Sequence, residues 1–223
     1  LMLSDGAPRV PGHLAYRAMV PQASLPENRR SQQVTAWLGP KLHVVQYPVR
    51  RGEWLNVVVI VQGRVESDLQ NWDHGANAAE LRASMGHTCA QLQDLIAAIP
   101  DWRLWALCDR PPMKGAWQQA QGRVALLGDA AHPMRPYLAQ GAGMAIEDAD
   151  ELGRSLAMDN LAVSARLQQY AQNRWQRCAR VQARSIRNGE IFHSGGLVRW
   201  GRDTVLKVLG ERVLDVPWLY AGP

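Results

Sequence analysis

The chain has 223 residues, enough for one large domain or two small ones, and its 47% hydrophobic and 20% charged residues exclude global disorder. The longest aliphatic run, Val57 to Val61, is far shorter than the roughly 18–20 residues of a membrane-spanning helix. A formal charge of +5, in which all but three of the 25 basic residues are arginine, admits acidic partners without selecting among them.

Residues 13–20, 34–38, 42–49 and 54–62 are short runs rich in Val, Leu, Trp and Tyr. Turn-forming stretches at 21–30, Gly39-Pro40 and Arg50-Arg51-Gly52 part them, so they read as antiparallel strands. Arg51-Gly52 leaves no room for a crossover helix, which makes 42–49 and 54–62 a hairpin. Beyond Ala76, the positions Leu81, Met85, Leu92, Leu95, Ile96 and Ile99 have helical spacing, predicting one or two helices over 77–99 that end at Pro100. A strand over 103–108 leads into Asp109-Arg110-Pro111-Pro112, where consecutive prolines stop regular structure and mark the expected domain crossing.

Downstream, residues 123–127 read as a compact apolar strand. Residues 141–158 read as a helix with Met144, Ala145, Ala149, Leu152 and Leu156 on one face. A long helix follows over 164–188 with Gly189 as its stop, then a further helix over 195–210. The expected fold class is α+β: an antiparallel-sheet domain over 1–110 and a strand-plus-helix domain over 111–223.

Cys89, Cys108 and Cys178 are odd in number, scattered and in no C-x-x-C spacing, so neither a disulfide framework nor a zinc site is expected, and a reducing cytoplasm fits best. His87 and Cys89, two apart on an expected helix, would point to different faces, and no metal site is expected there. His132 has no G-x-S-x-G elbow to serve as a hydrolase base. Arg166, Arg177, Arg180, Arg184 and Arg187 form a stripe on the long helix. Such a stripe is more often a solvated face, or a surface for a partner subunit in a homodimer, than a nucleic-acid track, so no nucleic-acid partner is expected.

The segment from Gly122 to Ala149 carries the chemistry. A strand ending in Gly128-Asp129 would place a carboxylate at a sheet's carboxyl edge, able to accept hydrogen bonds from polyol hydroxyls. Gly141 and Gly143 at a helix start would expose backbone N–H groups and the positive end of the helix dipole, a place for negative charge.

This segment, GRVALLGDAAHP continuing to QGAGMAIEDA, resembles the second flavin-binding motif of the class A FAD-dependent aromatic monooxygenases, the group that contains the p-hydroxybenzoate, salicylate and 3-hydroxybenzoate hydroxylases. The resemblance implies that Asp129, beside Gly128, bonds the flavin ribitol, and that the helix start at Gly141, Ala142, Gly143 and Met144 meets the flavin ring edge. It extends to Gly12–Ala18, which is similar to the strand opening the family's substrate domain, to Asp109-Arg110-Pro111 with Trp117, and to the tail Val216-Pro217-Trp218-Leu219-Tyr220. On this resemblance, residues 1–110 form the substrate domain and 111–223 the C-terminal part of a Rossmann-like FAD domain. No G-x-G-x-x-G is present, Asp5-Gly6 lacks the strand context of the family's Asp-Gly motif, and the chain begins at Leu1. The expectation is the C-terminal part of a longer enzyme, binding FAD weakly or not at all by itself.

His43 and Tyr47, four apart on a strand, project from one sheet face. By themselves they leave open a His43 that is merely a hydrogen-bonded strand residue at a sheet edge. H-x-x-x-Y-P resembles the substrate-face strand of the 3-hydroxybenzoate and 6-hydroxynicotinate hydroxylases, which implies that His43 helps deprotonate a phenol, at a pKa near the ordinary 6.5, while Tyr47 orients the substrate. Pro136 matches a position near the flavin's reacting face, and Tyr137 would bound the substrate pocket. The implied reaction is hydroxylation of a small aromatic acid with FAD, NADH or NADPH, and O2. The alternatives are a hydroxylase of a larger substrate, such as a quinone precursor or polyketide, and a flavin-free binding fragment.

Overall fold

Six strands, β1 (His13–Pro21), β2 (Thr35–Gly39), β3 (Leu42–Val49), β4 (Trp54–Gln62), β5 (His74–Asn77) and β6 (Asp101–Ala106), form one antiparallel sheet in the order β2-β3-β4-β1-β6-β5. This computed structural model describes residues 9–63 and 74–222, so Asp5-Gly6 lies outside the described residues. The chain divides into two compact units. One comprises Val10–Leu107 with Ile191–Asp203; the other comprises Cys108–Glu190 with Arg9 and the residues from Thr204 onward.

In the sheet unit, the period of two in each strand sorts side chains onto opposite faces. Leu14, Tyr16 and Ala18 of β1, Leu42 and Val44 of β3, and Leu55, Val57, Val59 and Val61 of β4 join one buried cluster with Leu81, Met85, Leu92, Leu95 and Ile96 from α1 (Ala78–Met85) and α2 (Ala90–Ala97). Leu81 and Ile96 are wholly buried, each contributing about 1.5–3 kcal/mol by leaving water. Asn77 starts α1 as a capping box, accepting from the Ala79 and Glu80 N–H groups while Glu80 accepts from its own N–H. The other face carries His13, Ala15, His43 and Ile60, all buried.

Several expectations are corrected. His87 and Cys89 share no helix; they lie in the connection between α1 and α2, where Cys89 is the N-cap of α2. The strand expected over 123–127 shrinks to β8 (Val124–Ala125), paired with β7 (Ala120–Gln121). Among the described residues it has no second neighbour, and Val124 and Leu127 are left exposed. Gly189 does not stop the long helix, since α4 runs Val163–Phe192. An added Cβ on Gly189 would lie 2.4 Å from Tyr137 Cε2, so this glycine permits a close approach instead of a break. Ile191–Asp203, expected with the second domain, belongs to the sheet unit, because the Phe192 and His193 rings meet His43 and the Lys41 N–H bonds the His193 carbonyl.

The second unit is helical around α3 (Gly141–Leu156) and most of α4, and α5 (Gly196–Leu209) follows them in the chain. Among the described residues no helix is long and apolar enough to cross a membrane.

Candidate functional site

Gly128 opens a 3-10 turn, Gly128–Ala130, with φ +56, a backbone region that L side chains rarely adopt. A Cβ there would stand 3.2 Å from the Ala145 Cβ, so glycine also allows the turn to lie against α3. The turn leaves Asp129 exposed, with Oδ1 3.9 Å from the place a Cβ on Gly141 would occupy. The carboxylate and the first residue of α3 are therefore neighbours. Gln140, at the N-cap, makes no side-chain capping bond, and Ala142 is exposed. The first-turn N–H groups keep both their donor capacity and the positive end of the dipole. Met144 is a correction: its N–H bonds the Gln140 carbonyl at 2.9 Å and its side chain is buried with Val181 and Leu219, so neither faces the helix tip.

What fixes the turn is a buried carboxylate that sequence reasoning missed. Asp148 Oδ2 accepts from the Gly128 N–H at 2.9 Å and lies 2.6 Å from His132 Nε2, while Oδ1 accepts from Arg174 Nε at 2.8 Å. Burial would raise the Asp148 pKa, but the hydrogen bonds from His132, Arg174 and Gly128 outweigh it and hold the carboxyl below its usual range. Arg174 also reaches Glu147, which Arg177 grips through two nitrogens. Three of the segment's own residues, Gly128, His132 and Asp148, thus close one knot whose only signal in the sequence was their presence in the same motif.

Cys178 joins His132 and Asp148 with ligand atoms all within 4.8 Å, the donor types of a metal site. The Asp148 carboxylate is already occupied by three donors including the Arg174 guanidinium, and burial, then Asp148, pushes the Cys178 thiol up to about 12, which keeps it a protonated, poor ligand. The arginine stripe is partly consumed as well: Arg166 bonds the Leu156 and Leu161 carbonyls, Arg177 the Trp218 and Leu219 carbonyls, and Arg180 lies over the Trp218 ring at 3.8 Å.

Pro136 is exposed at the start of a 3-10 turn, Pro136–Leu138, and Tyr137 is buried with its ring against Gly189. Arg135, just before them, bonds the buried Asp109, which Arg9 also reaches. In the sheet unit, His43 is 3% exposed on β3, an interior strand between β2 and β4, so the alternative of a residue at a sheet edge does not hold. Its Nδ1 lies 2.7 Å from His193 Nε2. The expected pKa near 6.5 is also corrected: burial first, then His193 and His13, bring His43 down to about 3. Tyr47 is half-buried two positions past Val45 on the same face of β3.

Residues 43–185 match the FAD binding domain family. The chain belongs to that family. It is 38% identical over 217 residues to a 3-hydroxybenzoate 6-hydroxylase of Polaromonas naphthalenivorans (strain CJ2), covering 96% of this chain and 53% of that protein. It is 36% identical over 215 residues to 3-hydroxybenzoate 6-hydroxylase 2 of Aquipseudomonas alcaligenes, covering 96% and 66%. A solved salicylate hydroxylase substrate complex superposes with a TM-score of 0.79 at 28% identity, over 98% of this chain and 56% of that one. The chain thus spans about half to two thirds of the relatives it matches. Within an FAD binding domain chain, the exposed Asp129 and the uncapped α3 tip fit a flavin, with a carboxylate for hydroxyls and amides for an electron-rich ring edge.

Proposed function

We propose that this chain is the C-terminal part of an FAD-dependent hydroxylase of a small aromatic acid, of the hydroxybenzoate or salicylate type, that uses NADH or NADPH and O2. The observation that carries the reading is the adjacency of the exposed Asp129 carboxylate to the uncapped tip of α3. Asp129 would hold the flavin's ribityl hydroxyls, and the Gly141, Ala142 and Gly143 amides would face its ring edge. Bound FAD would supply the activated oxygen. A positive helix end in place before the reaction stabilises charge that develops there without reorganisation.

On the substrate side, His43 is neutral at pH 7 and so starts in the form that accepts a proton. The phenol O–H bond breaks, an N–H bond forms on His43, and the electron pair stays on the phenolate oxygen. That anion then favours the charged imidazolium beside it, which offsets the depressed pKa. Tyr47, on the same strand face, orients the ring. Pro136 and Tyr137 complete the reading as flavin-side and substrate-side residues. Three free cysteines support a reducing, cytoplasmic setting, and exposed Leu197, Val198 and Val208 on α5 support a homodimer.

The test joins this chain to the N-terminal half of a 3-hydroxybenzoate 6-hydroxylase and measures NADH and NADPH oxidation against hydroxybenzoates, salicylate and hydroxynicotinate. Stimulation by one small aromatic acid, with coupled product, is the expected result. A flavin-loaded protein stimulated solely by a larger quinone precursor or polyketide would sink the small-acid reading, and failure to hold flavin would favour a flavin-free binding fragment.

A further inference from the structure

The sheet face that carries Tyr47 also carries Arg17, Asn56 and Arg103. By the strand register, Arg17 on β1 stands between Val58 of β4 and Arg103 of β6, and Asn56 on β4 stands between Met19 of β1 and Tyr47 of β3. On this face β1, β3 and β4 present no acid, and the face's Asp101 lies two residues before Arg103, at the start of β6. Like charges directly opposite on neighbouring strands are unfavourable, so the Arg17 and Arg103 pair favours an anion beside it.

Asn56 fixes how Arg17 is presented. Its side-chain oxygen accepts from Arg17 Nε at 2.8 Å. Asn56 is wholly buried, and its Nδ2 has no hydrogen-bond partner among the described residues. A buried donor left unpaired is costly, and leucine would avoid that cost; what the amide supplies is its bond to Arg17. With Nε held, the plane of the guanidinium is set. The side chain is exposed, and among the described residues neither Nη group has a partner. The two Nη groups form the planar fork that matches the two oxygens of a carboxylate. We infer that Arg17 anchors the carboxylate of the aromatic acid, with Asn56 as the positioning residue that aims it. This rests on the reading of this face as the substrate side. His43 and Arg17 lie two strands apart and two residues offset, roughly 12 Å between backbones by strand spacing, a gap that their side chains and one hydroxylated benzoate ring fill. The ring is then held at both ends, its hydroxyl toward His43 and its carboxylate on Arg17.

Ligand-detected NMR titrations of the 223-residue chain with 3-hydroxybenzoate and with 3-hydroxybenzamide, its uncharged counterpart, test this. The wild type should prefer the acid. Arg17→Gln should weaken acid binding by roughly ten- to a hundredfold, the loss of a charge-assisted pair, and leave the amide little changed. Arg17→Lys should recover part of the loss. Asn56→Leu, which removes the aiming oxygen but no charge, should weaken the acid and spare the amide, a split that simple misfolding does not produce; should it fail to fold, the Arg17 variants still decide. Equal binding of acid and amide by the wild type, or undiminished acid binding by Arg17→Gln, overturns the inference. If the chain alone binds neither compound, the same series in the chain joined to the N-terminal half decides: Arg17→Gln should raise KM for the acid with kcat little changed, and an unchanged KM overturns the inference. Oxidation of NADH or NADPH stimulated equally with and without Arg17 keeps the proposed function and removes the anchor. An acid preference that Arg17→Gln abolishes, without stimulated oxidation, keeps the anchor and removes the proposed function.

Discussion

Arg174 and Asp148 meet inside the protein, Nε to Oδ1 at 2.8 Å, with side chains 1% and 0% exposed. Two charges taken this far from water are stable only because each is saturated: Asp148 by His132, Arg174 and the Gly128 N–H, and Arg174 by Asp148 and Glu147. Asp148→Asn leaves the guanidinium without its buried counter-charge, and the expected cost is about 3–5 kcal/mol. A urea titration at neutral pH measures it. Because the Asp148 pKa is lowered on folding, its contribution is complete above the unfolded carboxyl range and is lost as pH falls through the folded value. The deficit of Asp148→Asn should therefore narrow in strong acid.

Gly189 and Tyr137 form a second dependence. A Cβ at position 189, in the last turn of α4, would collide with the Tyr137 ring, so Gly189→Ala should cost about 1–3 kcal/mol through overpacking even though alanine is the better helix former. Adding Tyr137→Leu should recover part of that loss. If Gly189→Ala raises the thermal midpoint, the close approach is not what the glycine serves.

His43 makes the sheet unit sensitive to mild acid. Its folded pKa of about 3 lies below the ordinary 6.5, so the unfolded chain binds the proton first, and stability is complete above 6.5. Below that pH the stability should fall by about 1.4 kcal/mol per pH unit, levelling near the folded value. His13 and His193 face the same cluster. Denaturation midpoints at pH 7.5 and 5.0 should differ in the wild type, and His43→Gln should flatten the difference.

Asp129 should show the opposite character. It is exposed, so Asp129→Ala should leave the stability of the chain within about 0.5 kcal/mol. On the proposed flavin role, the same change in the completed protein would remove a charged acceptor from the flavin, at about 1.5–3 kcal/mol, and FAD affinity should fall by roughly tenfold or more. Flavin fluorescence titration reads this; unaltered affinity would remove Asp129 from the site.

The fold was legible where pattern and burial agree. The period of two placed β3 and β4 within their observed bounds, and the 3.6-residue period found the α1–α2 pair, because each buries one face on a single cluster. The same period found α3, although Leu156 is exposed there and Asp148 and Ser155 are buried. It failed where a tertiary neighbour overrides local chemistry. Gly189 looks like a stop until the Tyr137 ring supplies the reason for a glycine within a helix. His43 looks like an imidazole of ordinary pKa until His193, 150 positions along the chain, closes over it. The placement of Asp129 beside the Gly141 start of a helix was readable from the motif, because a glycine-rich helix start has a local signature. Asp148 was not, because a buried counter-ion depends on which arginine comes to meet it.

The brevity of β8 also has a practical side. Val124 and Leu127 are 52% and 40% exposed beside a two-residue ladder, which among the described residues offers an uncovered strand rim to any passing chain. Purified in isolation, this polypeptide should therefore cling to itself, and a charged substitution such as Val124→Lys on that rim should keep it monodisperse.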